Sequence, residues 1–229
     1  MQITNKIGFT LAETLITLGI IGILAALTIP NLLHAYNEKQ TITKLKATYS
    51  ILSNAIKTAE NEEGEFSGFN IKTDEAGAKT IAKHLLPYLK VAIDCGTLDP
   101  NGNCAPKDTY LELNGRKRIG YYNTPIYYKL VLLNGVHIYL AGPDVVSNFN
   151  GKRNVFGIYV DTNGTKKPNQ WGKDFFLFMY LDEGIGLTQM GHPYEKTYSY
   201  KNTCSNKLHN GVGCAYYVLK FENMNYLKK

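Results

Sequence analysis

Nothing in this sequence marks a catalyst. It has no G-x-S-x-G, no H-E-x-x-H, no P-loop and no dinucleotide fingerprint. The usual signatures of hydrolases, zinc proteases, nucleotide hydrolases and nucleotide-dependent oxidoreductases are therefore missing, and the expectation is that the chain is not an enzyme. Its five histidines show no ligand spacing: His137, His192 and His209 are scattered, and His84 reads as a surface or packing residue. Cysteine is scarce, at four residues, and the C-x(2–4)-C spacing of zinc sites is absent. Clustered charge is also scarce. The net charge is +6, but only Arg116-Lys117-Arg118 and Lys228-Lys229 stand together. That pattern favours a solvated surface over a nucleic-acid footprint.

What the chain does have is one long apolar run. From Phe9 to Leu33 the only charged residue is Glu13. A helix over this run spans roughly the 30 Å of a bilayer's hydrocarbon layer. A carboxylate there costs about 2.5–3.5 kcal/mol on insertion scales and marks a functional position by default. A secretory signal carries its small-residue cleavage site after the apolar region; here the small residue, Gly8, stands before it. Cleavage between Gly8 and Phe9 would leave the apolar segment as a new N-terminus. An amine and a carboxylate in lipid are each costly alone and tolerable as a pair. A subunit offering both satisfies them best against another copy, which fixes axial register. Gly19 and Gly22 let helices approach closely.

Gly8-Phe9-Thr10-Leu11-Ala12-Glu13, followed by Gly19-Ile20-Ile21-Gly22-Ile23-Leu24-Ala25-Ala26 and Pro30, resembles the type IV prepilin family of pilins, type II secretion pseudopilins and competence pseudopilins. Ile7 departs from the basic residue usual before the glycine, with Lys6 one place further back. The resemblance implies a leader, 1–8, that prepilin peptidase removes before methylating Phe9. It implies that Glu13 pairs with a neighbouring subunit's N-terminal amine. The expected partners are further copies and other pilin-like subunits in a helical filament, an inner-membrane assembly platform, and lipid before assembly. The implied topology is single-pass, with the N-terminus cytoplasmic and the domain outside. The function expected is that of a type II secretion-like pseudopilin. The alternatives are a type IV pilus or competence subunit, which would bind a surface or DNA, and an uncleaved membrane-anchored domain.

The rest of the chain reads as α+β: a long helix packed on a C-terminal antiparallel sheet, the ladle shape of pilins. Residues 9–33 form the membrane half of that helix and 34–63 its amphipathic half. Ile42, Leu45, Tyr49, Leu52, Ile56 and Ala59 make one apolar stripe. Pro30 should kink rather than end the helix, which stops near Glu62 after about 80 Å. In the globular part, 64–229, residues 66–73 read as loop and Asp74 caps a helix through Leu86. Cys95 with Cys104, and Cys204 with Cys214, bracket Gly/Asn-rich loops. Two disulfides are the favoured state. Three connectivities are open, the two local ones preferred, and they place the domain outside the cytoplasm. Strands are expected at Tyr110–Leu113, Ile126–Leu133, Val136–Leu140, Val155–Val160 and Phe175–Leu181. Asn134-Gly135 should form a type I′ hairpin and Asp182-Glu183-Gly184 a turn. Ala215–Phe221 is strand or helix, and the 17 tyrosines read as strand positions.

One loop carries possible chemistry. Asp161-x-Asn163-Gly164 resembles the start of a calcium loop, which Asn169 and Asp174 could complete. Lys166 and Lys167 oppose a cation there, and the EF-hand pattern is incomplete. The competing reading is a plain connection with Asn163-Gly164 as turn residues and Pro168 as a stiffener. Calcium is the one cofactor these residues suggest.

Overall fold

Pro30 does not interrupt the long helix. In the computed structural model, which describes residues 10–118, 122–143, 148–149, 152–193 and 197–228, helix α1 runs unbroken over Leu11–Glu63. Thr28 Oγ1 donates to the Leu24 carbonyl at 2.8 Å and Asn31 Nδ2 to that of Leu27 at 3.3 Å. Gly8 and Phe9, the expected processing site, lie outside the described residues. The chain forms two compact units, one ending at Gln40 and the other comprising Thr41–Lys229.

In the first unit, α1 carries twelve Leu and Ile side chains between Leu11 and Leu33 that are 51–80% exposed. The helix has an 18-residue window of mean hydropathy 2.1, long and apolar enough to cross a membrane.

In the second unit, α1 buries Leu45, Thr48, Leu52, Ala55, Ile56 and Ala59. Their three- and four-residue steps place them on one face, with Ile42 and Tyr49 half-buried beside them. This face packs on an antiparallel sheet of β1 (Val91–Gly96), β2 (Tyr128–Leu132), β3 (His137–Ala141), β5 (Lys152–Asp161), β6 (Phe175–Leu181) and β7 (Gly186–Gln189), in that spatial order. The short β4 (Asn148–Phe149) pairs with the start of β5. Side chains alternate across a pleated strand. Ile158, Val160, Phe176 and Phe178 therefore face the helix, while Tyr159, Phe175, Leu177 and Met179 face away. All seven residues of β6 are buried, so both sheet faces are covered.

The second cover is not a helix. It is built from loops carrying Tyr110, Tyr122, Tyr127 and Trp171, which pack against Tyr139, Tyr159 and Phe175. Several tyrosines thus belong to a loop layer rather than to strands.

The helix α2 spans Glu75–Leu85, and Asp74 caps it by accepting from the Gly77 N–H at 2.7 Å. Two short helices, α3 (Tyr200–Thr203) and α4 (Cys214–Phe221), follow the sheet, which decides the last apolar run in favour of helix. Both disulfides are local, Cys95–Cys104 and Cys204–Cys214, with Cα atoms 6.3 and 5.1 Å apart.

Three turn and strand expectations change. Tyr110–Leu113 is not a strand; Leu111 makes only isolated bridges, to Lys117 and Gln170. The β2–β3 hairpin exists, but Asn134 has no positive φ, which type I′ requires. Gly135 alone does, at +75°, after the Leu133-Asn134 pair, and its N–H closes on the Leu132 carbonyl at 2.9 Å. The paired positive φ values occur instead at Glu183 (+57°) and Gly184 (+76°), joining β6 to β7. Strands β1 and β7, both edges, carry weak sequence signals because neither buries a full face.

Candidate functional site

Two places bring chemically notable residues together, one in each unit. The first is the start of α1. Thr10-Leu11-Ala12-Glu13 forms a reciprocal capping box: Thr10 Oγ1 accepts from the Glu13 N–H at 3.3 Å, and Glu13 Oε2 accepts from the Thr10 N–H at 2.9 Å. The Thr10 hydroxyl also donates to Oε2 at 2.8 Å. The carboxylate thus satisfies donors that the first helical turn leaves without partners. The S/T-x-x-E spacing of Thr10 and Glu13 is the sequence signal for this role.

The second place is the loop from Asp161, at the end of β5, to Asp174, just before β6. The Thr162 N–H donates to the Asp174 carbonyl at 2.8 Å, closing the loop at its base. Asp161 is fully buried. Its Oδ1 accepts from the N–H groups of Asn163 (3.1 Å) and Gly164 (2.8 Å), and its Oδ2 accepts a short bond from the Tyr110 hydroxyl. Tyr110 also meets the Tyr139 hydroxyl at 3.0 Å, and Tyr139 donates to the Cys104 carbonyl at 3.0 Å. Burial, and then the charge of Asp174, push the Asp161 carboxyl well above the usual range, against the hydrogen bonds from Tyr110, Asn163 and Gly164. Burial likewise raises Asp174, to about 6, opposed first by the Gln170 N–H, which donates to Oδ1 at 2.6 Å. Burial raises both tyrosines well above their ordinary value. Gly164 is needed here: its φ is +70°, and a Cβ would lie 2.4 Å from His137 Nε2.

The four residues expected to hold calcium all lie in this loop, and their side chains are not equally engaged. Asn163 Oδ1, Asn169 Oδ1 and Asp174 Oδ2 are buried without a hydrogen-bond partner among the described residues. A buried polar atom left so costs about 1–3 kcal/mol. Three such oxygens in one loop are hard donors of the kind a calcium ion takes, about half of the six to eight it needs, the rest falling to backbone carbonyls or water. Asp161 is different, because both its oxygens are already engaged by the turn and by Tyr110. Lys166 and Lys167 are exposed and do not enter the oxygen cluster. The residues that could hold a cation are therefore Asn163, Asn169 and Asp174, with one formal charge between them. No group of three His, Cys, Asp or Glu suited to a metal occurs among the described residues.

His84 is nearly buried, stacked on Phe69 with ring centroids 4.1 Å apart and bonded through Nδ1 to Glu63. It packs the end of α1 against α2.

Comparison of the chain with protein-family models, with curated proteins and with solved structures returns no match.

Proposed function

We propose that this chain is a structural subunit of a pilus-like filament, of the prepilin type, assembled through α1 and serving a type II secretion-like machine. The supporting observation is the division of one 53-residue helix. Its first half presents an apolar surface with one carboxylate near the start. Its second half is the central packing element of a disulfide-bonded α+β domain. In a bilayer the first half is solvated by lipid. In a filament the same surface would meet copies of itself, and Glu13 would meet a neighbour's terminal amine. The domain would remain outside, where disulfides persist.

Mass spectrometry of the N-terminal peptide from membranes of the native host tests the processing step. A peptide starting at Phe9 with one added methyl is expected; an intact Met1 in cells with active prepilin peptidase would refute the reading.

The capping box favours a second reading, an uncleaved membrane anchor in which Glu13 serves only its own helix. Glu13→Gln separates the two. Glutamine reaches back to the Ncap N–H as glutamate does, so an anchor would lose nothing. A filament that depends on the charge would fail to assemble, although the variant reaches the membrane at normal levels.

A further inference from the structure

Within the globular unit, charge is sorted by sign to opposite ends. At one end three loops are hydrogen-bonded together: Leu111 donates its N–H to the Asn169 carbonyl at 2.9 Å, and Leu113 donates to that of Asn210 at 3.0 Å. Segments 110–118, 162–173 and 203–211 hold seven Lys and Arg residues and one acid, Glu112, which lies 4.0 Å from Arg118. Asp161 and Asp174 are buried and offer this surface no carboxylate. Arg116, Lys117, Lys166, Lys167 and Lys207 are exposed, and none is in an ion pair among the described residues. At the other end, where α1 stops, Glu60, Glu62, Glu63 and Glu65 stand close together with no Lys or Arg between them. Glu60, Glu62 and Glu65 accept from neutral hydroxyls, those of Tyr180, Tyr88 and Ser67, and Glu63 is bonded to His84. None of the four meets a Lys or Arg in an ion pair among the described residues. The last turn of α1 carries no basic residue. Carboxylates are disfavoured at a helix C-terminus, so these acids do not serve the helix they end.

The two surfaces cannot meet within one copy. Lys44 donates its ammonium to the Thr162 carbonyl at 2.8 Å, which fixes the basic loops beside the start of this part of α1. From Lys44 to Glu60 the helix rises about 24 Å. Strand β5 repeats the separation. Its last residue, Asp161, lies beside the basic loops, while Arg153, near its start, bonds to Asp182 and to the Ser67 carbonyl just beyond Glu65. The distance is about three Debye lengths at physiological salt, so neither surface neutralises the other. We infer that the basic loops of one copy dock on the acidic end of α1 in the globular unit of a second copy. One chain supplies both signs in equal number of surfaces. Nucleic acid or anionic lipid would match the basic loops but would leave the acidic end without a purpose. The contact is heterologous, so each copy added keeps one free surface of each sign and association continues. The inference rests on the filament reading, which brings the copies together, and it names the faces through which their globular units meet.

Carbodiimide joins an amine to a carboxylate only where the two touch, and so reads this contact directly. The full chain in membranes of the native host is treated, dimers are separated on a denaturing gel, and the joined peptides are identified by mass spectrometry. Amide links from Lys166, Lys167 or Lys207 to Glu62, Glu63 or Glu65 are expected, and high salt should remove them. An exposed ion pair changes association by up to about fivefold. Lys166→Glu with Lys167→Glu turns two attractions into repulsions and should lower the dimer yield about tenfold. Glu62→Lys with Glu65→Lys should do the same. Expressed together, the two variants have matching ends again, and dimers should return between them. An unshifted emission of Trp171, the only tryptophan, in each variant purified in detergent shows that the fold is kept. Dimers that survive either double substitution, or that join other residues, would overturn the inference. Dimers absent where the N-terminal peptide starts at methylated Phe9 would overturn it alone. Dimers absent where Met1 is intact would overturn it together with the filament reading. Salt-sensitive binding of duplex DNA or of phosphatidylglycerol vesicles, without these dimers, would overturn it in favour of that partner.

Discussion

Replacing Asp174 with asparagine should stabilise the globular unit at neutral pH. Asp174 is 3% exposed, and burial raises its pKa from 3.8 to about 6. The folded state therefore holds this proton more tightly than the unfolded chain. The contribution is fully present below pH 3.8 and is lost as pH rises through about 6. The difference of roughly 2.2 units corresponds to about 3 kcal/mol. The variant keeps the shape and the Oδ1 that accepts from Gln170, and removes the charge. Urea unfolding in detergent micelles, followed by the emission of buried Trp171, reads this directly. At pH 7.5 without divalent cations, Asp174→Asn should exceed the parent by up to about 3 kcal/mol. Near pH 4 the two should converge. Asp99, held below the usual carboxylate range by three backbone N–H groups despite its burial, acts in the opposite sense and cancels in the difference. Calcium should narrow the gap. At 10 mM, a site with the roughly 0.1–1 mM affinity of extracellular modules adds about 1.4–2.7 kcal/mol to the parent and little to the variant. Parallel stability–pH curves for the two proteins would refute the buried-acid argument. A calcium effect that is absent, or equal in both, would refute the assignment of Asn163, Asn169 and Asp174 as cation ligands.

Two further measurements bear on what holds the fold. Lys129 is fully buried, with its ammonium donating to the carbonyls of Thr97 (2.7 Å), Thr124 (2.9 Å) and Tyr127 (2.9 Å); Lys129→Met leaves three acceptors without partners and should cost roughly 2–4 kcal/mol in urea melts. Burial also lowers its pKa from 10.5 to about 8, so the unfolded chain binds the extra proton between those values, and stability should rise from pH 8 toward 10.5 in the parent but not in the variant. Removing the Cys204–Cys214 bridge by double serine substitution opens a loop with a sequence separation of 10 and should cost about 2.7 kcal/mol; an unchanged urea midpoint would contradict this.

Local pattern alone determined the long helix, its end near Glu62, the stripe that packs on the sheet, the Asp74 cap and the principal strands, and it favoured the two short-range disulfides without fixing them. Each follows from near neighbours: the 3.6-residue repeat, the period of two, a capping side chain, two cysteines a short loop apart. The same locality explains the misses. A hairpin's turn type depends on strand register, so Asn134-Gly135 by itself does not decide between type I′ and the longer turn found here. Edge strands bury only part of a face, so β1 and β7 left little pattern. The final apolar run admitted two periods until its neighbours were known. Only the tertiary structure decided how Asp161 is used, because Tyr110 reaches it from far along the chain. Only the tertiary structure built the aromatic layer over the second sheet face. These are contacts between distant segments, set by how the sheet is covered, and no window of sequence contains both partners.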